Sequence, residues 1–398
     1  MNFRELTRAV DRRYLLFDTT GRLPTAMLPL GMLLHTASVT DSYARAGLVV
    51  GALSLGGGIG GPLVGVSADR FGQRPVAVIA TVFQVLALAG FLLVEPLSLM
   101  LLCAGVVGLT NPQVGAMSRA RWAALARRHE RRAVLTGYAM AFEGAVDETS
   151  FVVGPVLVAT LAGLLDPVAA LSVAWVLALV TQIGFAVHPS ALPRRPGARE
   201  THTGRLASWH LAWLLLAMAG VGVVFGVSQA GVAARMDLLG RDELTGLVYA
   251  AMGFGSALTG LLTPRFPARI GLATRIWASG VGLVAAGLVL AATSSPTGTA
   301  LGCLVAGVAL APALISSYSA ADRATPPGWG TTVMTSLATA NVVGVAVGAA
   351  IAGQVIDLRT PAQALLLVLV AGLVVVVGGL GTRATEREAT AHSGALTT

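Results

Sequence analysis

The sequence GVSADRFGQRP occupies residues Gly65 to Pro75 and separates two long apolar blocks. Similar blocks fill most of the 398-residue chain, which is 55% hydrophobic and only 12% charged, with a mean hydropathy of +0.76. A soluble protein of this length needs far more charge to cover its surface. Apolar runs of about 18 or more residues are long enough to span a bilayer. The chain is therefore predicted to be an all-α, polytopic membrane protein.

Twelve membrane helices are predicted from the apolar blocks and from the turn-forming residues between them. Their expected ranges are 14–38, 44–67, 75–94, 98–121, 133–163, 168–187, 209–232, 244–264, 275–293, 299–320, 331–356 and 362–382. The basic, Pro-rich segment 188–208 divides them six and six. We therefore expect two pseudo-symmetric six-helix bundles at 1–187 and 209–382, a cytoplasmic linker at 188–208, and a disordered cytoplasmic tail at 383–398.

The distribution of arginine predicts the orientation, because cytoplasmic loops of membrane proteins are rich in basic residues. The 27 basic residues are all arginine. With a cytoplasmic N terminus, all but five of them fall in inner segments. The exceptions are Arg22 within the first helix and the outer-loop residues Arg45, Arg235, Arg241 and Arg359. This pattern predicts a multi-pass protein of a bacterial cytoplasmic membrane with both termini inside.

The composition argues against several classes of function. A chain without lysine cannot form a P-loop ATPase site or a Schiff base. Cys103 and Cys303 lie within apolar blocks, and the six histidines form no ligand pattern, so we expect no metal and no cofactor. The net charge of +8 sits in short loops, which argues against nucleic-acid binding. The chain is expected to be a monomer. Its expected partners are the lipid bilayer, a small-molecule substrate and protons.

The two halves resemble each other at an offset of about 195–200 residues. LLCAGVVGLTNP from Leu101 matches LGCLVAGVALAP from Leu301, which aligns Pro112 with Pro312. Chance similarity between Ala/Gly/Val/Leu blocks is the alternative. A duplicated six-helix unit is an architecture of transporters, whose substrate site lies between the halves near mid-membrane.

The loop at residues 65–75 resembles the signature loop of the major facilitator superfamily, G-x-x-x-D-R-x-G-R-[RK]. Gln73 departs from the usual basic residue. The positions that fit are Gly65, Asp69, Arg70, Gly72 and Arg74. Together with the twelve helices and the basic central segment, the resemblance covers nearly the whole chain. It implies a secondary transporter that works by alternating access.

The chemistry of this loop indicates a cytoplasmic gate. Gly65 would let its helix approach a neighbour closely, and Gly72 would permit a turn with positive φ. Asp69 is expected to bond to a helix end or to an arginine, with Arg119 and Arg121 as the nearest candidates. Such bonds would act as a latch that is made in one conformational state and broken in the other. The alternative is that the loop only sets the topology.

A second resemblance lies in the fifth predicted helix. SFVVGP, Ser150 to Pro155, is similar to the G-x-x-x-G-P element of proton-coupled exporters, with Ser150 in place of the first glycine. The resemblance implies export. The alternative is a helix kink with close packing at Gly154 and Pro155.

Five ionisable residues are predicted to lie within the membrane, where each costs about 2.5–3.5 kcal/mol on insertion scales and is a candidate for function. Asp18 and Arg22 belong to the first helix, and Glu143, Asp147 and Glu148 to the fifth. A rise of about 1.5 Å per residue places Arg22 and Glu143 at similar depth. Four acids face a single base.

The excess of acids has two possible explanations. Either arginines such as Arg119 reach in, or at least one acid is protonated. We expect Glu143 and Asp147 to form a proton-linked centre with Arg22 as their positioning partner. A static salt bridge and recognition of a cationic substrate are the alternatives.

Other polar residues within the spans are expected either to line a cavity between the halves or to form bonds between helices. They are Asn111, Gln113, Gln229, Tyr318 and Asn341. The leading prediction is proton-coupled export of a small amphipathic molecule. The alternatives are a proton-coupled uptake carrier for a polar metabolite, a membrane-embedded enzyme and a non-transporting partner subunit.

Overall fold

The computed structural model describes residues 10–127, 132–194, 209–241, 244–267, 269–326 and 328–395. The predicted linker is therefore described only up to residue 194, and Arg4 and Arg8 lie outside the described residues. Within the described ranges the chain is helical and has no strand. The α-helices are α1 (Arg12–Thr20), α2 (Leu23–Thr40), α3 (Tyr43–Phe71), α4 (Gln73–Leu93), α5 (Leu97–Leu109), α6 (Val114–Ala126), α7 (Arg132–Leu164), α8 (Pro167–Leu177), α9 (Ile183–Val187), α10 (Trp209–Leu238), α11 (Thr245–Leu262), α12 (Leu272–Ala292), α13 (Pro296–Ala324), α14 (Gly330–Leu358), α15 (Pro361–Leu365) and α16 (Leu367–Ala395).

These helices form twelve membrane segments in the predicted order. In the described part of the chain, 11 segments are long and apolar enough to cross a membrane. The remaining segment is the first, in which α1 and α2 are separated at Gly21 and Arg22. Three other segments are made of consecutive pieces: α5 with α6, α15 with α16, and α8 with α9 through a π-helix at Ala178–Gln182. The chain is thus an all-α membrane protein of twelve helices in two six-helix bundles.

The fourth segment was predicted to be one continuous helix at 98–121. The structure shows a break in it between Leu109 and Val114. Pro112 lacks an N–H and disfavours helical geometry at the residue before it. The side chain of Asn111 accepts a bond from the backbone N–H of Gln113 at 3.1 Å, and Gln113 takes a left-handed conformation with φ of 54°. Pro312, the aligned residue, lies inside the continuous helix α13. The residues on either side of Pro312 are alanines, whose side chains cannot accept a backbone N–H bond as Asn111 does.

Arg235 was wrongly predicted to lie in an outer loop. Helix α10 continues to Leu238, and Arg235 is buried in its last turn with 4% of its surface exposed. Its Nη1 atom donates to the carbonyl oxygen of Leu290 at 2.6 Å and to Oγ1 of Thr299 at 3.3 Å. The last carbonyl oxygens of a helix lack N–H partners within that helix. Arg235 donates to one of them at the end of α12, which accounts for the burial of its side chain.

The C-terminal segment also differs from the prediction. Helix α16 continues to Ala395 instead of ending near residue 382. The residues expected to form a disordered tail are therefore helical as far as Ala395.

The contacts divide the chain into two compact units. Of the described residues, the first unit contains those within 1–139, 145–204 and 326–339, so it includes the beginning of α14. Its apolar core joins α2, α3, α4, α5 and α8 through buried residues such as Leu28, Leu53, Phe91, Met100 and Leu171. This core supports the segment that carries the buried charges described below.

The second unit contains the described residues within 140–144, 205–325 and 340–398. Helix α12 packs against α13 and α16 within it. Glycines allow close approach at these crossings: a Cβ atom added to Gly287 would lie 2.5 Å from the backbone nitrogen of Leu369, and one added to Gly280 would lie 2.6 Å from that of Val376. Small residues of this kind stabilise helix packing in membranes, where apolar burial alone gives little drive.

The crossing of α3 and α5 gives a prediction with a matched control on the same helix. A Cβ atom on Gly60 would overlap the backbone of Leu109, whereas one on Gly57 would lie 3.9 Å from the nearest atom, the carbonyl oxygen of Gly108. We expect Gly60→Ala to lower the stability by about 1–3 kcal/mol through overpacking, and Gly57→Ala to leave it nearly unchanged. Thermal unfolding in detergent measures both, and equal melting temperatures for the two variants would contradict the prediction.

Candidate functional site

Four charged side chains form a cluster within the first unit, and we call Asp18, Arg22, Arg119 and Asp147 the charge cluster. Arg22 Nη1 donates to Asp147 Oδ1 at 2.6 Å, and Arg22 Nη2 donates to Asp18 Oδ1 at 2.9 Å. Arg119 Nη2 donates to Asp147 Oδ2 at 2.5 Å. Each oxygen of the Asp147 carboxylate therefore accepts a bond from a different arginine.

The cluster is buried and its formal charges balance. Asp18 is fully buried, Arg22 and Arg119 are 5% and 3% exposed, and the side chain of Asp147 is 31% exposed. The two acids and two bases of these four residues sum to zero, and the fully buried Glu143, one turn before Asp147 on α7, is not part of this sum. Asp147 is thus the most accessible member of the cluster.

Arg22 was expected to be the only base unless an arginine such as Arg119 reached in, and the structure shows this second arrangement. Arg119, expected at the cytoplasmic gate, points into the cluster from α6. Gly115, one turn earlier on α6, leaves space for the Arg119 side chain. A Cβ atom on Gly115 would lie 3.2 Å from Asp147 Oδ1 and 3.4 Å from Arg22 Cζ. On α7, Glu143 is fully buried and Glu148 is partly buried. Their expected share in proton coupling stays a prediction.

Two members of the charge cluster lie beside the break in the first membrane segment. Asp18 lies in α1, and Arg22 immediately precedes α2. Gln182 Nε2, at the end of the π-helix, donates to the Gly21 carbonyl oxygen at 3.3 Å. Tyr14 Oη and Ser118 Oγ are hydrogen-bonded at 2.5 Å and join α1 to α6. π-helical turns are frequent at functional sites, and the contact of Gln182 with the break was not expected from the sequence.

The gate aspartate caps a helix that is distant in the sequence. Asp69 Oδ1 accepts from the backbone nitrogen of Thr331 at 3.0 Å. Asp69 Oδ2 accepts from the backbone nitrogen of Thr332 at 2.6 Å and from its Oγ1 at 2.7 Å. These groups form the N terminus of α14, where a carboxylate satisfies free N–H groups and the helix dipole. Of the two kinds of partner expected for Asp69, the helix end is observed, and the described bonds do not involve Arg119 or Arg121.

Two glycines of the gate loop have the expected roles. A Cβ atom on Gly65 would overlap Thr335 Oγ1 and lie 3.1 Å from Thr332 Cα, so Gly65 permits close approach of α3 and α14. Gly72 has φ of 93°, which favours glycine. Arg70 and Arg74 are exposed, and Arg70 lies over the ring of Phe71 at 5.1 Å.

Gln73 is a buried junction between the gate loop and its neighbours. Its Oε1 accepts from Arg121 Nε at 2.7 Å, and its Nε2 donates to Thr331 Oγ1 at 3.1 Å. Its backbone nitrogen donates to the carbonyl oxygen of Leu192, at the start of the predicted linker, at 2.9 Å. Arg121 also donates to Ser190 Oγ at 3.0 Å. Gate loop, α6, α14 and the first linker residues therefore meet at one side chain.

Comparison with known proteins decides the family. The sequence model of the Major Facilitator Superfamily matches residues 14–349. The chain belongs to the major facilitator superfamily. Members of this superfamily are transporters of small molecules, so the chain is a multi-pass membrane transporter and not an enzyme.

Relatives of known sequence or structure agree with the family. An uncharacterised transporter of the superfamily from Sinorhizobium fredii is 28% identical, over 94% of this chain and 95% of its own length. The human organic anion transporter MFSD10 shares the fold with a TM-score of 0.70 and 19% identity, over 93% of this chain and 99% of that one. An outward-facing bacterial homologue of the iron transporter ferroportin has a TM-score of 0.72 and 14% identity, over 94% and 98% of the two chains.

The position of Gln73 explains its departure from the superfamily signature. A basic side chain is usual here, but Gln73 is fully buried against the Arg121 guanidinium. A second cation would repel that guanidinium, whereas the amide oxygen accepts its bond. The loop at residues 65–75 thus has a neutral, buried side chain where a basic one is usual.

The exporter-like element on α7 packs closely against α2. A Cβ atom on Gly154 would lie 2.8 Å from the Cβ atom of Ala26. Pro155 lies inside α7, which continues to Leu164. This geometry accounts for Gly154 by close packing, one of the two alternatives, and leaves the direction of transport a proposal.

The five polar residues predicted within the spans occupy varied positions. Asn111 Nδ2 donates from the break before α6 to Thr25 Oγ1 of α2 at 3.3 Å. Asn341 Nδ2 donates to the carbonyl oxygen of Met218 at 3.5 Å and joins α14 to α10. Gln113 belongs to the break before α6. Gln229 is exposed and Tyr318 is buried. Their share in a substrate cavity stays a prediction.

Proposed function

We propose that this superfamily member exports a small amphipathic molecule in exchange for protons, and that the charge cluster couples the two movements. The observation that carries the proposal is a buried, charge-balanced cluster at a break in the first membrane segment. Intramembrane ionisable residues are costly and are kept where function requires them. Asp147 is partly exposed, so the cluster has a route to solvent or substrate.

Proton coupling needs a carboxyl group whose protonation depends on conformation. In the cluster, Arg22 is shared between Asp18 and Asp147, so adding a proton to either acid changes the pairing of the other. The sharing of Arg22 between two acids therefore favours coupling over static pairing.

Alternating access requires contacts that form in one state and break in another. The bonds from Asp69 to the N terminus of α14 and the junction at Gln73 are suited to this role, because they join elements more than 250 residues apart in sequence. The proposal includes a monomer in a bacterial cytoplasmic membrane, with both termini inside and two bundles divided at 188–208. Export is favoured by the exporter-like element on α7.

The test is reconstitution of the purified protein into liposomes with an imposed proton gradient. Fluorescent dyes, drug-like amphipathic compounds and polar metabolites would be screened for movement, with empty liposomes and a protonophore as controls. We expect an amphipathic compound to move opposite to the protons and to stop when the gradient is dissipated. Movement of a polar metabolite along with the protons would instead support the uptake carrier.

A further inference from the structure

We propose that Asp18 is the carboxyl group that takes up the transported proton, and that Asp147 stays ionised as the anchor of both arginines. This assignment rests on the proposed proton-coupled transport and names the residue that performs it. It differs from the sequence-based expectation, which assigned the proton to Glu143 and Asp147.

The two carboxylates differ in what holds their charge. Asp147 accepts one guanidinium bond at each oxygen, from Arg22 and from Arg119. Asp18 accepts the Arg22 bond at Oδ1, while its buried Oδ2 has no hydrogen-bond partner among the described residues. A proton on Asp147 would weaken bonds to two cations, whereas a proton on Asp18 would weaken a bond to one. Asp18 therefore loses less when it is protonated, and Oδ2 is the atom at which the O–H bond forms.

The charged surroundings of Asp18 come from few elements. Among the elements packed against α1, α6 contributes Arg119 and Arg121, and α2 contributes His35 in its second half. Helix α7 reaches the cluster through Asp147 and also carries the buried Glu143. The π-helix and α9 carry no titratable side chain. Arg121 is directed to Gln73 and Ser190 instead. Arg22 is thus the cation that bonds to Asp18, and the Arg119–Asp147 pair can remain when Asp18 is neutral.

Protonation of Asp18 would change the junction between α1 and α2. The Asp18–Arg22 ion pair crosses the break at Gly21, so it ties the end of α1 to the start of α2. A neutral Asp18 accepts from Arg22 at Oδ1 without charge assistance, so this tie weakens and Arg22 pairs more strongly with Asp147. The angle between the two helices can then change about Gly21. The proton would in this way be linked to the shape of the first membrane segment.

The burial of Asp18 separates proton uptake from proton release in time. Its side chain is fully buried in the state described here, so it cannot exchange a proton with water in this state. The proton must be taken from water on one side, held as the carboxylic acid, and returned to water on the other side in states that open the site. Occluded, alternating exposure of this kind is what exchange transport requires.

Infrared spectroscopy of the purified full chain tests the assignment without a substrate. The pH would be lowered stepwise and the C=O stretching band of protonated carboxylic acids recorded, with and without carboxyl-¹³C aspartate. We expect a band that shifts with the labelled aspartate, is lost in Asp18→Asn and is kept in Asp147→Asn. Asp18→Asn has the shape of the protonated acid, and thermal unfolding would verify that it folds.

Three results would overturn the assignment: a band that survives in Asp18→Asn, a band that does not shift with labelled aspartate and is lost in Glu143→Gln, or no band over the titration. Flux in liposomes separates this failure from failure of the proposed function. If the wild-type protein shows no proton-dependent flux, the proposed function fails. If it does, Asp18→Asn should abolish the dependence on the gradient, and dependence that persists in Asp18→Asn but is lost in Glu143→Gln would assign the proton to Glu143.

Discussion

Replacement of Arg22 with methionine is expected to lower the free energy of unfolding by about 3–5 kcal/mol, the cost of removing one partner from a buried ion pair. Arg22 is 5% exposed and bonds to Asp18 and Asp147. Asp147 keeps Arg119, but the fully buried Asp18 loses its ion-pair partner. The measurement is reversible unfolding of the purified protein in mixed micelles.

A second substitution distinguishes lost charge balance from lost packing. In the double variant Arg22→Met, Asp18→Asn, the Arg119–Asp147 pair remains and the cluster is neutral again. We expect the double variant to recover more than half of the lost stability. Arg45→Met is the matched control, because Arg45 is an exposed arginine in the first turn of α3. A double variant as unstable as Arg22→Met alone would mean that Arg22 does not serve to balance Asp18.

Replacement of Asp69 with asparagine is expected to slow transport by about tenfold while expression stays near normal. Asp69 accepts three bonds from Thr331 and Thr332 at the start of α14. Asparagine has one acceptor oxygen, and its NH₂ group would face an N–H donor. Loss of one charge-assisted bond, about 1.5 kcal/mol, corresponds to a tenfold change in an equilibrium that the transport cycle must pass through.

The Asp69 prediction is measured as initial flux in liposomes per unit of reconstituted protein. Glu95→Gln is the control, since Glu95 is an exposed acid in the loop after α4 and its loss changes the net charge by the same amount. Both variants should reconstitute equally. An Asp69→Asn flux equal to that of wild type would leave the loop with a role in topology alone.

The sequence by itself determined the features that depend on local composition. Apolar blocks long enough to span a bilayer predicted the twelve segments, because the free energy of transfer into the membrane is a sum over consecutive residues. The family signature and the positive φ of Gly72 followed from short motifs, since only glycine adopts that conformation without strain. The break near Pro112 also follows from local rules, although the apolar run at 98–121 predicted a continuous helix.

Only the tertiary structure decided which charges meet. Arg119 and Arg121 are separated by one residue and therefore point in different directions around α6. Arg119 bonds to Asp147, and Arg121 bonds to Gln73. Asp69 bonds to groups more than 250 residues away, and Arg235 turns inward to the end of α12 rather than lying in a loop. Hydropathy assigns a residue to a span, but ion pairs act over a few ångströms, so the packing of the helices determines the partner of each charge.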